Sequence, residues 1–138
     1  MIPSRESHGR PRPVDGSDCS FRALEFATEF VRRYEGTLHV VHITDYQGKE
    51  TSEVLKRAEE VVADAGLKDE PEIVTSLRLS EPGYANRVGK DILRLVEERE
   101  YDHVIMGHHG TGRIGRVLIG SAAETVVRAA EVPSTIIP

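Results

Sequence analysis

The strongest constraint on this chain is an alternation: from Ser17 onward, amphipathic stretches and short apolar runs take turns. SDCSFRALEFATEFVRRYEG offers Ser17 or Asp18 as a cap, then Leu24, Ala27, Phe30, Val31 and Tyr34 at helical spacing, with Gly36 as the stop. TLHVVHITD follows, with Leu38, Val40, Val41 and Ile43 in no clean alternation, as expected of a strand covered on both faces. GKETSEVLKRAEEVVADAG puts Val54, Ala58, Val61, Val62 and Ala65 on one stripe and ends at Gly66. In EIVTSLRLSE, Ile73, Thr75, Leu77 and Leu79 alternate with Val74, Ser76 and Arg78, which predicts an edge strand with one solvated face. A third helix is expected from about Ala85 to Glu100 on Val88, Ile92, Leu95 and Val96, then a buried strand in HVIMG. Ser121 to Ala130 reads as a helix with Val126, Val127 and Ala130 inward, and PSTIIP as a last strand between Pro133 and Pro138. Helices between successive strands mean right-handed crossovers, and so an α/β domain with a parallel sheet covered on both faces. Ligands of such sheets bind beyond the carboxyl ends of the strands, where the winding reverses.

At 138 residues the chain is long enough for one domain with a single core. A net charge of -5 excludes a wholesale basic surface, so no nucleic-acid partner is expected. No apolar run approaches the roughly 20 residues that span a bilayer, and MIPSRESHGRPRP carries no hydrophobic signal core. A cytoplasmic protein without membrane contact is expected, and the single cysteine, Cys19, agrees with a reducing compartment.

The stretch MGHHGTGRIGRVLIGSAAETV, Met106 to Val126, carries glycine at 107, 110, 112, 115 and 120 and then turns into a good helix former. Gly110, Gly112 and Gly115 spell G-x-G-x-x-G, but that fingerprint needs a glycine at the strand end and an acid about 20 residues later on a following strand. The last strand here has no acid. A Walker loop also fails, because GTGRIGRV has Arg116 and Val117 where Lys and Ser or Thr are required. Gly107, Gly110, Gly120 and Ser121 fit a third pattern, G-x2-G-x9-G-S. Gly107 and Gly110 let the chain leave the strand with its amides bare, and Gly120 and Ser121 open a helix whose first amides and dipole favour an anion. Arg113 and Arg116 lie between them, with no acid from Gly107 to Ser121. Three or four charge-assisted hydrogen bonds of about 1.5 to 3 kcal/mol each span a range that includes the roughly 8 kcal/mol of micromolar binding, which permits a nucleotide without demanding one. The competing reading is a glycine-rich surface loop followed by a helix cap.

With this spacing, the chain resembles the universal stress protein family over nearly its whole length. PVDGSDCSFRALEFATEFVRRYEGTLHVVHITD looks like that family's first strand end, first helix and second strand, and GHHGTGRIGRVLIGSAAETVVRAAEVPSTIIP like its nucleotide loop, last helix and edge strand. The resemblance implies residues 13–138 as the domain, an open Rossmann-like (adenine nucleotide alpha hydrolase-like) parallel sheet of five strands in the order 3-2-1-4-5, a homodimer, and ATP binding, with AMP or ADP as alternatives and Mg2+ accompanying the nucleotide. It implies that Asp15, after Pro13 and Val14 at the end of the first strand, approaches ribose and phosphates, and that Val41 lines the adenine pocket. Met106 and Gly107 stand at the loop base, His109 near phosphate, Gly110, Arg113, Arg116, Gly120 and Ser121 around the phosphates, and Ala122 and Ala123 add backbone contacts. Many members carry a hydroxyl where Ala123 stands, so one side-chain contact is absent here. In members that dimerise through the last strand its edge pairs with a second copy, and Ser134 to Ile137 is apolar enough to do so.

One departure stands out. The family's first strand is an apolar run at the sheet centre, whereas Arg10, Pro11 and Arg12 precede Pro13 and Val14 here. Proline removes ladder donors, which predicts either a short, distorted first strand or a segment 1–12 that is not the family's usual start. Of the histidines, His108 and His109 are adjacent and badly placed to share one ion, and no Cys or acid completes a zinc spacing around them or around His39, His42 and His103. No metal site of the chain's own is expected, and His103, His108 and His109 are assigned to a solvated loop. Cys19 reads as an inert, partly exposed thiol, Glu97 to Glu100 as a solvated helix end, and Asp15 as the acid with a functional role. The resulting expectation is an ATP-binding regulatory module acting as a dimer in stress response. The alternatives are a nucleotide-free dimeric interaction protein, or a weak ATPase or adenylate-handling hydrolase, for which no nucleophile and base are visible together.

Overall fold

The computed structural model describes residues 9–13, 18–44, 49–68, 72–75, 84–108 and 119–138. In chain order they form β1 (Gly9–Pro13), α1 (Asp18–Tyr34), β2 (Thr37–Thr44), α2 (Lys49–Asp64), β3 (Glu72–Thr75), α3 (Tyr84–Glu98), β4 (Val104–Gly107), α4 (Ser121–Ala129) and β5 (Ser134–Ile137). The alternation read from the sequence is thus the observed one, with helix boundaries shifted by a residue or two; of the edge strand expected in EIVTSLRLSE, Glu72–Thr75 is strand, and Ser76, Leu77, Arg78 and Leu79 lie outside the described residues. Three helices end in the same way: an amide two or three residues past the helix reaches back to a carbonyl five residues earlier, as in Gly36 N–H to Val31 O (3.0 Å), Leu67 to Val62 (3.2 Å) and Tyr101 to Val96 (3.1 Å). That closure needs one residue in the left-handed region. After α2 it is Gly66, at φ 75°, but after α1 and α3 it is Glu35 (52°) and Glu100 (54°). Gly36, read as the stop of α1, is therefore one residue beyond the position that turns the chain.

All strand pairs are parallel: β1 with β2 from Gly9↔Thr37 to Pro13↔Val41, β2 with β3 from Val41↔Glu72 to Thr44↔Thr75, and β4 with β5 from Val104↔Ser134 to Gly107↔Ile137. β1 also lies alongside β4, yet among the described residues no ladder joins them. The two prolines explain why. A parallel strand turns successive N–H groups to alternate neighbours, and a parallel bridge needs donors from both strands. The ladder to β2 runs the length of β1, so the Arg10 and Arg12 amides face β2, and the side toward β4 falls to Pro11 and Pro13, which have no N–H.

The core has two halves, divided by strand parity. Leu38 and Val40 of β2 and Ile105 of β4 pack with Leu24, Ala27 and Val31 of α1 and Ala58 and Val62 of α2. Val41, Ile43, Val104 and Met106 pack with Ile92 and Leu95 of α3 and Ala123 and Val126 of α4. Helices α1 and α2 thus cover one face and α3 and α4 the other, a doubly wound arrangement in which β2 and β4 are buried on both sides. Arg57 of α2 lies 3.8 Å above the Phe21 ring of α1 and ties that pair together.

Several residues depart from the sequence reading. Tyr34 and Val127 are not inward, being 47% and 54% exposed; each lies at the margin of its helix's apolar stripe, where spacing alone does not fix the side. Cys19 is fully buried rather than partly exposed. His103 belongs to no solvated loop: it is buried directly before β4, with Nε2 sharing a hydrogen bond with Thr135 Oγ1 (2.7 Å) and its ring against Phe30. The Glu97 to Glu100 run is not solvated throughout, because Arg99 inside it forks onto Glu72 at 2.7 and 2.8 Å.

Candidate functional site

The carboxyl end of β4 is where the chain's local chemistry converges. Gly107 closes the strand so near the first turn of α1 that a Cβ there would stand 2.6 Å from Cys19 Sγ and 3.1 Å from backbone atoms of Cys19 and Ser20. Only glycine lets the helix start sit this low on the strand end. His108 N–H then donates to Ile137 O (2.8 Å), carrying the β4–β5 pairing one residue past the strand. The His108 carbonyl in turn accepts the Gly120 N–H. This bond plants the start of α4 beside the end of β4.

Gly120 is the N-cap of α4, in extended conformation (φ -75°, ψ 162°), with no side chain capping the helix. The first intrahelical bond there is Glu124 N–H to Gly120 O at 2.9 Å. The amides of Ser121, Ala122 and Ala123 therefore lie ahead of the helix's own acceptors, at its positive end. An anion is the chemical species such a set receives.

Of the residues singled out in the sequence, Met106, Gly107, Gly120, Ser121, Ala122 and Ala123 are brought together here. Val41 joins Met106 and Ala123 in one buried cluster, and Pro13 stands in register with Val41. Val41 and Ala123 are each 1% exposed, so both support the site from beneath through packing. Val14, Asp15, His109, Gly110, Arg113 and Arg116 lie outside the described residues. Sequence reasoning missed Cys19 and Ser20, whose contact with Gly107 fixes the strand end; the signal was there in a glycine at the end of a buried strand, but not the identity of its neighbour.

A second polar group, also missed, sits at the opposite end of the sheet. Arg99 clasps Glu72 of β3 and reaches Tyr101 Oη (3.2 Å), and that hydroxyl shares a 2.8 Å hydrogen bond with His39 Nδ1 of β2. The clasp holds the Glu72 carboxyl below its usual range, chiefly through the Arg99 hydrogen bond, and raises Arg99 further. Tyr101 precedes β4, so this network stands at the amino end of that strand and takes no part in the glycine site.

The sequence profile of the universal stress protein family matches residues 13–138. The chain belongs to the universal stress protein family. Among relatives in it, universal stress protein MJ0531 of Methanocaldococcus jannaschii is 22% identical over 91% of this chain and 78% of its own length. A universal stress protein of Thermus aquaticus is 32% identical over 86% and 90%. Others are longer: the chain spans 38% of universal stress protein Slr1230 of Synechocystis. Solved structures share the fold, MJ0577 with a TM-score of 0.73 at 21% identity over 94% of both chains. A universal stress protein in complex with cAMP follows at 0.71, 21% identical over 95% and 96%, and one from Archaeoglobus fulgidus in complex with dAMP at 0.68, 23% identical over 100% and 98%.

Proposed function

We propose that this universal stress protein binds an adenine nucleotide at the carboxyl end of β4 and serves as a dimeric, cytoplasmic regulatory module in stress response rather than as a dedicated enzyme. The observation that carries the reading is the Gly120 to His108 hydrogen bond, which sets the leading amides of α4 beside the glycine-bounded strand end. The nucleotides bound by the cAMP and dAMP neighbours agree with that chemistry. In this reading ATP is the ligand, with AMP or ADP in the same place, and phosphate oxygens accept from Ser121, Ala122 and Ala123 while Arg113 and Arg116 supply charge. Asp15 addresses the ribose and His109 a phosphate. Magnesium, in this reading, enters with the nucleotide's phosphates. The sheet is read as continuous in the order 3-2-1-4-5, with β1 against β4, and the dimer as formed through β5.

Calorimetry with ATP, ADP and AMP tests this. Micromolar to submillimolar ATP binding is expected, weakened about tenfold or more by Gly120→Val and by Gly110→Val, because a branched side chain stands where the phosphate approaches. Absence of heat and of thermal shift at millimolar ATP would sink the nucleotide reading and leave a nucleotide-free dimer. Phosphate release that disappears in Asp15→Ala while binding persists would make the protein an enzyme instead.

A further inference from the structure

α1 presents an aromatic row that the nucleotide site does not use. Phe26, Phe30 and Tyr34 recur every four residues, with ring centroids 6.0 and 4.8 Å apart, and Phe26 is 42% and Tyr34 47% exposed. Four-residue spacing puts Arg22 on the same stripe. The stripe is tied to β5 at two points: Arg22 Nε donates to Pro138 O, just past the strand, at 2.9 Å, and Phe30 rests on His103, which is bonded to Thr135. The row therefore runs antiparallel to β5, along its open side.

That side is also where β5 has unused backbone groups. Val104 and His108 donate to Pro133 O and Ile137 O, so odd-numbered residues of β5 face β4. The N–H and C=O of Ser134 and Ile136 face away, and among the described residues no strand meets them. Two copies paired antiparallel about a two-fold through Thr135 would match Ser134 with the partner's Ile136 and the reverse, for four hydrogen bonds. The two-fold keeps both α1 helices on one face of the joined sheet. α1 lies over β4, so the helices stand about three strand spacings, roughly 14 Å, apart. Helices in direct contact pack at about 8 to 10 Å, and the difference is a trough that only large side chains from both walls can fill.

We propose that Phe26, Phe30 and Tyr34 fill this trough against a second copy of the chain, with Phe30 opposite the partner's Phe30 and Phe26 opposite the partner's Tyr34. This rests on the strand-edge dimer proposed above. Sedimentation of the full chain across concentration, for the parent, Phe26→Asp/Tyr34→Asp and Ser134→Pro, separates the two ideas; both positions 26 and 34 are exposed, and circular dichroism reports folding. Weakening of the dimer by about tenfold or more in both variants supports the aromatic seam. Weakening in Ser134→Pro alone overturns it and keeps the strand edge. Weakening in the aspartate variant alone, or a monomeric parent, overturns the shared surface. As a second readout, Phe26→Cys/Tyr34→Cys is expected to give a covalent dimer under mild oxidation, and Phe26→Cys alone not; equal yields overturn the pairing.

Discussion

Glu35 and Glu100 show at the scale of single residues how a helix end is closed at a cost. Both hold the left-handed backbone that Gly66 takes freely after α2. For a residue with a Cβ that conformation costs about 1 to 2 kcal/mol, part of which glycine returns through its more flexible unfolded state. Glu35→Gly and Glu100→Gly should each raise stability by about 0.5 to 1 kcal/mol in urea unfolding. Glu72 makes the opposite case, an acid stabilised by its partner. Its carboxyl is depressed by Arg99, so the contribution is complete above the unfolded carboxylate value of about 4.3 and is lost as pH falls through the lower folded value. The side chains are 47% and 33% exposed, which limits the pair to about 1 kcal/mol or less. Glu72→Gln should therefore be less stable than the parent by that amount at pH 7, with the gap closing as denaturation is repeated below about pH 4.

Between elements, the tightest constraint is where α3 crosses α4. A Cβ on Gly89 would meet Thr125 Cβ at 2.6 Å, Cγ2 at 2.8 Å and the Ala122 carbonyl at 3.1 Å. Alanine is the better helix former by about 1 kcal/mol, yet Gly89→Ala should destabilise the fold by about 1 to 3 kcal/mol in thermal or urea unfolding, because the helices must part. Its distance from the glycine turn is bridged by α4 itself, so nucleotide affinity should fall with it. Helix existence and the covering of β2 on both faces were legible in the sequence, since apolar spacing records which side is buried. The identity of the neighbour was not: nothing in the string pairs Gly89 with Thr125, or Gly107 with Cys19. Charge-rich surroundings also concealed Arg99, whose partner lies on β3. Pro11 and Pro13 were legible as missing donors, and the structure adds the direction in which they are missing.

Across the whole molecule, the family is legible because the spacing of Gly107, Gly110, Gly120 and Ser121 and the alternation of helix and strand stand in the sequence itself, and the family profile matches residues 13–138. Within the candidate site, Gly107, Gly120 and Ser121 were legible as backbone features and Met106 came only through the family resemblance, whereas the burial of Val41 and Ala123 depends on three-dimensional packing that their spacing does not encode. The bond from Gly120 to His108 has a further consequence for the chain as a heritable object. It fixes His108 and Gly120 to each other directly, so the position of α4 does not depend on how many residues the chain carries between them. Closing a loop twice as long costs only about 0.6 kcal/mol. Inserting Gly-Ser between Gly110 and Thr111 should leave the melting temperature within a few degrees while abolishing ATP binding by calorimetry; a collapse of stability would show that this bond does not insulate the scaffold. Such a scaffold tolerates the rewriting of one short stretch of its gene while the rest of the protein stays folded.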